Sequence, residues 1–325
     1  MPITRRSLLA TAAALAAMPA ARAFADTEWP SHIVKTISPY GAGGANDISL
    51  RIFNAFFERE LKEQFIVENK PGAGTRIASE TVAHSAPDGY TWLYAAAPYA
   101  TAEALFGKLN YERKELRPVA MAAYAPIFLI INAKSPYKTL PELIAYGKSK
   151  SEGLTFGSPG PGSQPHLAAE LLFKTAGVKG LNIPFRGDSA AYTELLAGRV
   201  DATFTAITSA LPHIQAGTFR VLATGSPTRS TIYPDAPTMV ELGYPQVTAA
   251  GWYGFMAPAA TPAPIIEKLQ DLVLRALKDK DVQQKLIAQG LEAHGLSGVD
   301  FAKFIDDETA KWSKVIKEAG LQGQQ

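Results

Sequence analysis

The hydrophobic pattern changes its period between residues 33 and 57. An apolar run through Ile33, Val34 and Ile37 stops at Ser38-Pro39-Tyr40, the glycine loop Gly41-Ala42-Gly43-Gly44 follows, and then Ile48, Ile52, Phe53, Phe56 and Phe57 recur at helical spacing. Apolar positions three and four apart fall on one helix face, so the pattern predicts strand, glycine loop, helix. Asn46 or Asp47 is the expected N-cap, because an Asx oxygen accepts from the unpaired N–H groups of a first turn.

The alternation continues with a short strand over 65–68, a turn at Pro71-Gly72-Ala73-Gly74, a helix over 75–85 and a strand over 90–96, before a long apolar strand over 119–132 leads onward. Strands alternating with helices of this length predict a parallel sheet in an α/β domain. The unit is then used again: a strand over 154–156, the loop Gly157-Ser158-Pro159-Gly160-Pro161-Gly162, and a helix capped by Ser163 with Leu167, Ala168, Leu171 and Leu172 on its face. A strand over 181–185, the loop Arg186-Gly187-Asp188-Ser189, a helix over 191–197, a strand over 200–205, a helix ending near Gly217 and a strand over 219–224 follow. Glycine at the helix ends supplies the left-handed conformation that a C-cap needs. Residues 250–256 read as a strand, and 264–277, 282–289 and 299–319 as amphipathic helices laid over the first domain's sheet. The predicted organisation is a signal peptide over 1–25, a first domain over 26–123 plus 251–325 and a second over 124–250. Two chain crossings, near 120–128 and 248–256, would form a hinge over a cleft.

Residues 1–25 stand apart. Arg5 and Arg6, an Ala-rich apolar stretch from Leu8 to Met18, and small residues at Ala21, Ala23 and Ala25 have the layout of a cleavable secretory signal. Cleavage after Ala25, or after Ala23, would release the chain into the periplasm. Thr4-Arg5-Arg6-Ser7-Leu8-Leu9 fits a twin-arginine signal as well as a Sec signal that contains two arginines, and both routes stay open. About 11 apolar residues are too few to cross a bilayer that needs ~20, so no membrane insertion is expected. Without this segment the chain has 29 basic and 30 acidic residues. The whole-chain pI of 8.5 is therefore no sign of a basic footprint, and no nucleic-acid partner is expected. The absence of cysteine excludes disulfides, thiolate metal sites, a Cys nucleophile and a lipidated N-terminal Cys.

A glycine loop opening a helix is physically an anion site, since unpaired N–H groups and the positive end of the helix dipole point the same way. Two such loops on facing domains would grip one small acid from both sides. Charge-assisted hydrogen bonds contribute roughly 1.5 to 3 kcal/mol each, the dipole roughly 0.3 to 1, and micromolar affinity requires about 8, so four or five contacts suffice. The glycines also serve as simple tight turns, and that reading stands beside the first. Enzyme signatures are missing: Gly41-Ala42-Gly43-Gly44-Ala45-Asn46 lacks the third glycine of a dinucleotide fingerprint, neither loop has a P-loop lysine, and no G-x-S-x-G elbow occurs. His32, His84, His166, His213 and His294 are scattered, and His166 with Glu170 is an isolated pair rather than a zinc motif. No cofactor and no metal are expected, and each histidine reads as a surface or capping residue. Asp47 would repel an anion, so it is either a stabiliser of the loop and helix N-terminus or a partner for a water or a ligand's amino group.

Pro39-Tyr40-Gly41-Ala42-Gly43-Gly44-Ala45-Asn46-Asp47, Val67-Glu68-Asn69-Lys70-Pro71-Gly72-Ala73-Gly74 and Ala86-Pro87-Asp88-Gly89-Tyr90-Thr91 together resemble the Bug-type receptors of tripartite tricarboxylate transporters. So do Gly162-Ser163-Gln164-Pro165-His166-Leu167, Leu195-Leu196-Ala197-Gly198-Arg199-Val200-Asp201, Pro234-Asp235-Ala236-Pro237-Thr238 and Trp252-Tyr253-Gly254, in order across the exported chain. The resemblance implies an α/β, two-domain, periplasmic-binding-protein-like (type II) fold with a ligand cleft between the domains. It implies a small carboxylate ligand, membrane permease subunits as partners, and a monomer. It also implies that backbone amides and waters from one loop of each domain hold the carboxylate. Carried over by position, the candidate ligand residues are Tyr40, Gly43, Gly44, Asn46 and Asp47 in the first loop and Ser158, Gly162, Ser163 and Gln164 in the second. Arg186 and Gly187 come from the neighbouring loop, and Ala97 and Thr205 from strand ends. The sequence departs from the family pattern at Thr75-Arg76, where the turn normally continues with Gly and a small polar residue. Arg76 is either a partner for a second carboxylate, favouring a dicarboxylate, or a solvated arginine at a helix start. Tyr40, Tyr99, Phe185 and Trp252 are candidates for an aromatic wall facing a ring-bearing acid. A sensory module presenting a carboxylate to a membrane sensor would need the same cleft, whereas an enzyme would need a nucleophile or base that the loops lack.

Overall fold

The computed structural model describes residues 29–185 and 187–323, so the signal segment and Arg186 lie outside the described residues. The first lobe begins β1 (Val34–Ser38), α1 (Ala45–Leu61), β2 (Phe65–Asn69), α2 (Arg76–Ala83), β3 (Thr91–Ala96) and α3 (Pro98–Phe106), and β4 (Leu116–Asn132) leaves it. The second lobe holds α4 (Leu140–Ser149), β5 (Leu154–Ser158), α5 (Gln164–Ala176), β6 (Gly180–Pro184), α6 (Asp188–Leu196), β7 (Ala202–Ala206), α7 (Ile207–Gln215) and β8 (Phe219–Thr224). The chain returns through β9 (Ala250–Pro258) and ends with α8 (Ala263–Ala276), α9 (Lys280–Ala288), β10 (Glu292–Ser297) and α10 (Gly298–Glu318).

Strand order is β2-β1-β3-β9-β4-β7-β5-β6, with β8 and β10 also pairing with β4. β1 is parallel to β2 and β3, and β5 is parallel to β6 and β7, so each half uses the same three-strand plan. The repeat read from the glycine loops is thus a repeat of topology. β4 belongs to both halves: Leu116 to Pro126 pairs with β9, and from Ile127 onward it pairs with β7 and β8. Pro126 sits at this change of partner, where a residue with no N–H to donate interrupts no ladder. β9 makes the return crossing at the same level. Ala250 pairs with Pro126, while Gly225 N–H donates to Ile127 O at 2.9 Å and Ala249 N–H donates to Gly225 O at 2.8 Å.

Aromatic rings fill the first lobe, with Phe53, Phe57, Trp92 and Phe255 fully buried between α1 and the sheet. α8 and α9 pack there as expected, through Leu269, Val273 and Leu286. α10 departs from the expectation. Phe301 and Ile305 join Trp252 and Met256 in the first lobe, but Trp312, Val315 and Ile316 join Phe156, Phe173 and Phe204 in the second. Lys174 of α5 pairs with Glu318 at 2.6 Å, and the buried Trp312 donates to Glu308 at 2.7 Å. The helix is amphipathic along its whole length, and its stripe continues over the neighbouring lobe instead of ending with the first.

Three elements escaped the periodicity reading. α3 starts directly after β3 with Pro98 in its first turn. α4 is announced only by its cap, where Thr139 accepts from Glu142 N. β10 is a half-exposed strand of mixed polarity that takes its place from pairing with β4.

Candidate functional site

In the order β2-β1-β3 the chain leaves β1 for a neighbour on one side and returns to the other side for β3. The crevice outside the carboxyl ends of β1 and β3 is therefore a topological switch point, the place where open α/β sheets bind ligands. The order β6-β5-β7 makes a second one between β5 and β7. The first glycine loop and Ala97 flank the first crevice, and Ser158, the second glycine loop and Thr205 flank the second.

In the first loop the N-cap is Gly44, in extended conformation and without a side-chain cap, rather than Asn46 or Asp47. Asp47 lies within the first turn, 2 % exposed, and turns back to serve the loop. It accepts from Gly43 N–H at 3.0 Å, from Arg51 Nε and Nη2 at 3.0 Å each, and from Asn69 Nδ2 at 2.9 Å. Burial opposes its ionisation, but the donors of Arg51, Gly43 and Asn69 outweigh that and hold its pKa at about 2. Both carboxylate oxygens are occupied, which is the loop-stabilising role. The uncapped first turn leaves its own N–H groups for a ligand or water. Asn46, also 2 % exposed, accepts from the Ser38 hydroxyl at 2.8 Å, and its Nδ2 has no partner among the described residues.

The second loop repeats the device with different chemistry. Ser163 is the N-cap, as expected, and accepts from His166 N. Gly162 N–H donates to His166 Nδ1 at 2.9 Å, which leaves the proton on Nε2, 3.4 Å from Glu170. In each loop the glycine before the N-cap has positive φ, +86° at Gly43 and +70° at Gly162. Its N–H is tied to the side chain four residues on, and that side chain is tied in turn to one four further on: Asp47 to Arg51, and His166 to Glu170. Gly43 and Gly162 therefore shape the loops with their N–H groups already engaged. The second loop is the more saturated of the two, because Ser163 N–H goes to Gly160 O and Pro165 has none. Gln164 uses its side-chain amide on the hinge strand, donating to Ala250 O at 3.1 Å.

Around the second crevice, Ser158 is fully buried with a hydroxyl that lacks a partner among the described residues. Thr205 shares hydroxyl contacts with Tyr192 and Ser209. Gly187, at φ +93°, is the uncapped N-cap of α6, and burial raises the pKa of Asp188 beside it. Ala97 is the N-cap of α3. The lobes touch here, since a Cβ on Gly162 would lie 3.0 Å from the side chain of Leu105 in α3.

Arg76 is already engaged. Its Nε donates to Ala73 O at 2.7 Å and its guanidinium lies 4.0 Å over the Phe106 ring. Of the four wall aromatics, Tyr99 and Trp252 are core residues, 3 % and 0 % exposed, whereas Tyr40 and Phe185 keep part of their surface. Composition did not reveal the roles of Arg51, Asn69 and His166. The one legible signal was spacing, an i, i+4 pair of polar partners opening the helix after each glycine loop, Asp47 with Arg51 and His166 with Glu170. Among the described residues no group of His, Asp and Glu could hold a metal ion, and no helix is long and apolar enough to cross a membrane.

Comparison with known proteins gives a consistent result. A family profile described as tripartite tricarboxylate transporter family receptor (TctC) matches residues 50–321. Protein BugT of Bordetella pertussis is 35 % identical over 304 residues, covering 93 % of each chain. Among solved structures, a TctC solute binding protein from Polaromonas superposes with a TM-score of 0.82 at 26 % identity, covering 89 % of this chain and 99 % of that one. MatC from Rhodopseudomonas palustris, with bound malate, gives 0.71 at 31 % identity, covering 89 % and 100 %.

Proposed function

The chain belongs to the tripartite tricarboxylate transporter receptor family, and from that premise we propose that it captures a small organic carboxylate between its lobes in the periplasm and delivers it to the permease subunits of such a transporter. The observation that carries this reading is the first turn of α1. It opens uncapped at a switch point, beside a buried amide, Asn46 Nδ2, that has no partner among the described residues. N–H groups held in place by the Asp47 tether need no reorganisation when an oxyanion arrives. The bound malate of MatC supports a carboxylate as the ligand class.

In this reading Gly44, Asn46, Ser158, Gly187 and Thr205 border the ligand, while Asp47 and His166 hold the loops that do so. The lobes are residues 26–123 with 251–325, and 124–250, and they close about the crossings. The protein acts as a receptor rather than an enzyme, its loops offering donors to an anion without a paired nucleophile and base. A thermal-shift screen of the exported protein against mono-, di- and tricarboxylates, amino acids and aromatic acids tests it. A ligand at 100 times its Kd adds about 2.7 kcal/mol of stability. If no small acid raises the melting temperature, the proposal is wrong. Pull-down from membrane extract with the acid present should recover permease subunits, and recovery of a sensor kinase instead would assign the cleft to signalling.

A further inference from the structure

The strand that returns between the lobes carries a tyrosine at the first crevice. Tyr253 of β9 pairs with Ala96, the last residue of β3, and β3 runs beside β1 with Leu93 opposite Ile37. β1 ends at Ser38 and Tyr40 follows on the bend beyond it, so Tyr40 and Tyr253 border the same end of the sheet. Side chains alternate along a strand, so Tyr253 shares the face from which Tyr94 and Phe255 meet α1, its ring 5.6 Å from that of Tyr94, and Tyr40 lies close enough to feel its phenol.

The nearby Tyr94 is satisfied, its hydroxyl donating to Ser49 at 3.2 Å. Tyr40 and Tyr253 are not: both are partly exposed, and neither phenol finds a hydrogen-bond partner among the described residues. Burial, and then the proximity of Tyr253, raise the pKa of Tyr40, and burial pushes that of Tyr253 up to about 12. Both stay protonated as neutral donors. Ser38 ties the Tyr40 backbone to Asn46, since its hydroxyl donates to Asn46 Oδ1 at 2.8 Å and accepts from Tyr40 N–H at 3.3 Å. Asn46 Nδ2 is the third unmatched donor. Two cations on the elements around Ser38 and Asn46 are already paired, Arg51 with Asp47 and Lys70 with Glu68.

We infer that Tyr40, Tyr253 and Asn46 Nδ2 form a floor of neutral donors for the oxygen atoms of the bound acid, with Tyr253 bringing the hinge strand into the binding site. This rests on the receptor reading and extends it. A ligand held on β9 touches the element that any lobe rotation must bend, so recognition and closure share one residue.

Tyr253→Phe, Tyr40→Phe and the double variant each remove only a hydroxyl and keep the ring. Acetate, succinate, malate, citrate and terephthalate are titrated calorimetrically into the wild type, and the tightest binder serves as the probe. Each single variant should weaken it about tenfold, the effect of one lost hydrogen bond to a charged group, with the unliganded melting temperature nearly unchanged. The probe should also produce a tyrosine ultraviolet difference spectrum in the wild type that the double variant lacks, a change that a merely structural tyrosine would not give. Binding by Tyr253→Phe within about twofold of wild type, or a wild type without the difference spectrum, overturns the inference while leaving the receptor reading intact. Failure of every acid to bind the wild type overturns both.

Discussion

Replacing Asp47 with Asn keeps the shape of the side chain and removes its charge. In the folded protein the carboxylate is held at about 2 against an ordinary value of 3.8. At about 1.4 kcal/mol per tenfold change in proton affinity, this corresponds to roughly 2.5 kcal/mol. Arg51, its main partner, is 53 % exposed at the side chain, and solvent screening there lowers the expected loss to about 2 kcal/mol. The group's folded pKa is depressed, so its stabilisation is complete above the unfolded value near 4 and disappears as pH falls through 2. For a protein of this size each kcal/mol displaces Tm by roughly 2 to 4 °C. Thermal denaturation of Asp47→Asn should therefore lie about 5 °C below wild type at pH 7, with the gap narrowing between pH 4 and pH 2.5. Hydrogen exchange at the Gly43 amide, whose acceptor is Asp47, should accelerate in the variant. Equal melting at pH 7, or a gap that stays constant into acid, would refute the assignment of Asp47 as the tether of the loop.

Alanine at Gly43 and at Gly162 both meet positive φ, a penalty of roughly 1 to 2 kcal/mol. Only Gly162 also meets a neighbour, Leu105, so Gly162→Ala should be the more destabilising in urea melts and the excess should vanish in a Leu105→Ala background. Trp312→Ala should lose about 3 to 5 kcal/mol in the same assay, because the ring is 1 % exposed within the second lobe's core. Arg76→Ala should change malate and lactate binding equally, by less than about twofold, since its guanidinium is already used by Ala73 and Phe106. A loss confined to malate would restore Arg76 as the partner of a second carboxylate.

Most of the scaffold was legible because its elements carry their own periodicity. The helix after each glycine loop, the continuous apolar β4 and the Ser163 cap all follow from local spacing. The start of α1 was misread because Asp47 looks like an N-cap by residue type. With Arg51 and Asn69 as partners it gains more by bending back from the third helical position, and Asn69 comes from a different strand. Tyr253 was visible within Trp252-Tyr253-Gly254, but local sequence does not say which ring is core. Register decides it, sending Trp252 toward Phe301 and Tyr253 to the opposite face. β10 and the far half of α10 were beyond reach for the same reason, each being fixed by a partner distant in sequence.

α10 limits how the two halves can move. Its 21 residues extend about 30 Å, with one end seated among Phe301 and Ile305 in the first core and the other among Trp312, Val315 and Ile316 in the second. A stiff strut anchored at both ends fixes the spacing between the bodies it joins. Translation of one lobe along or away from the other would pull Trp312 out of its socket. Only a swing that keeps Phe301 and Trp312 at their fixed separation leaves both ends seated. The helix works as a tie rod, which forbids sliding and narrows the swings that remain.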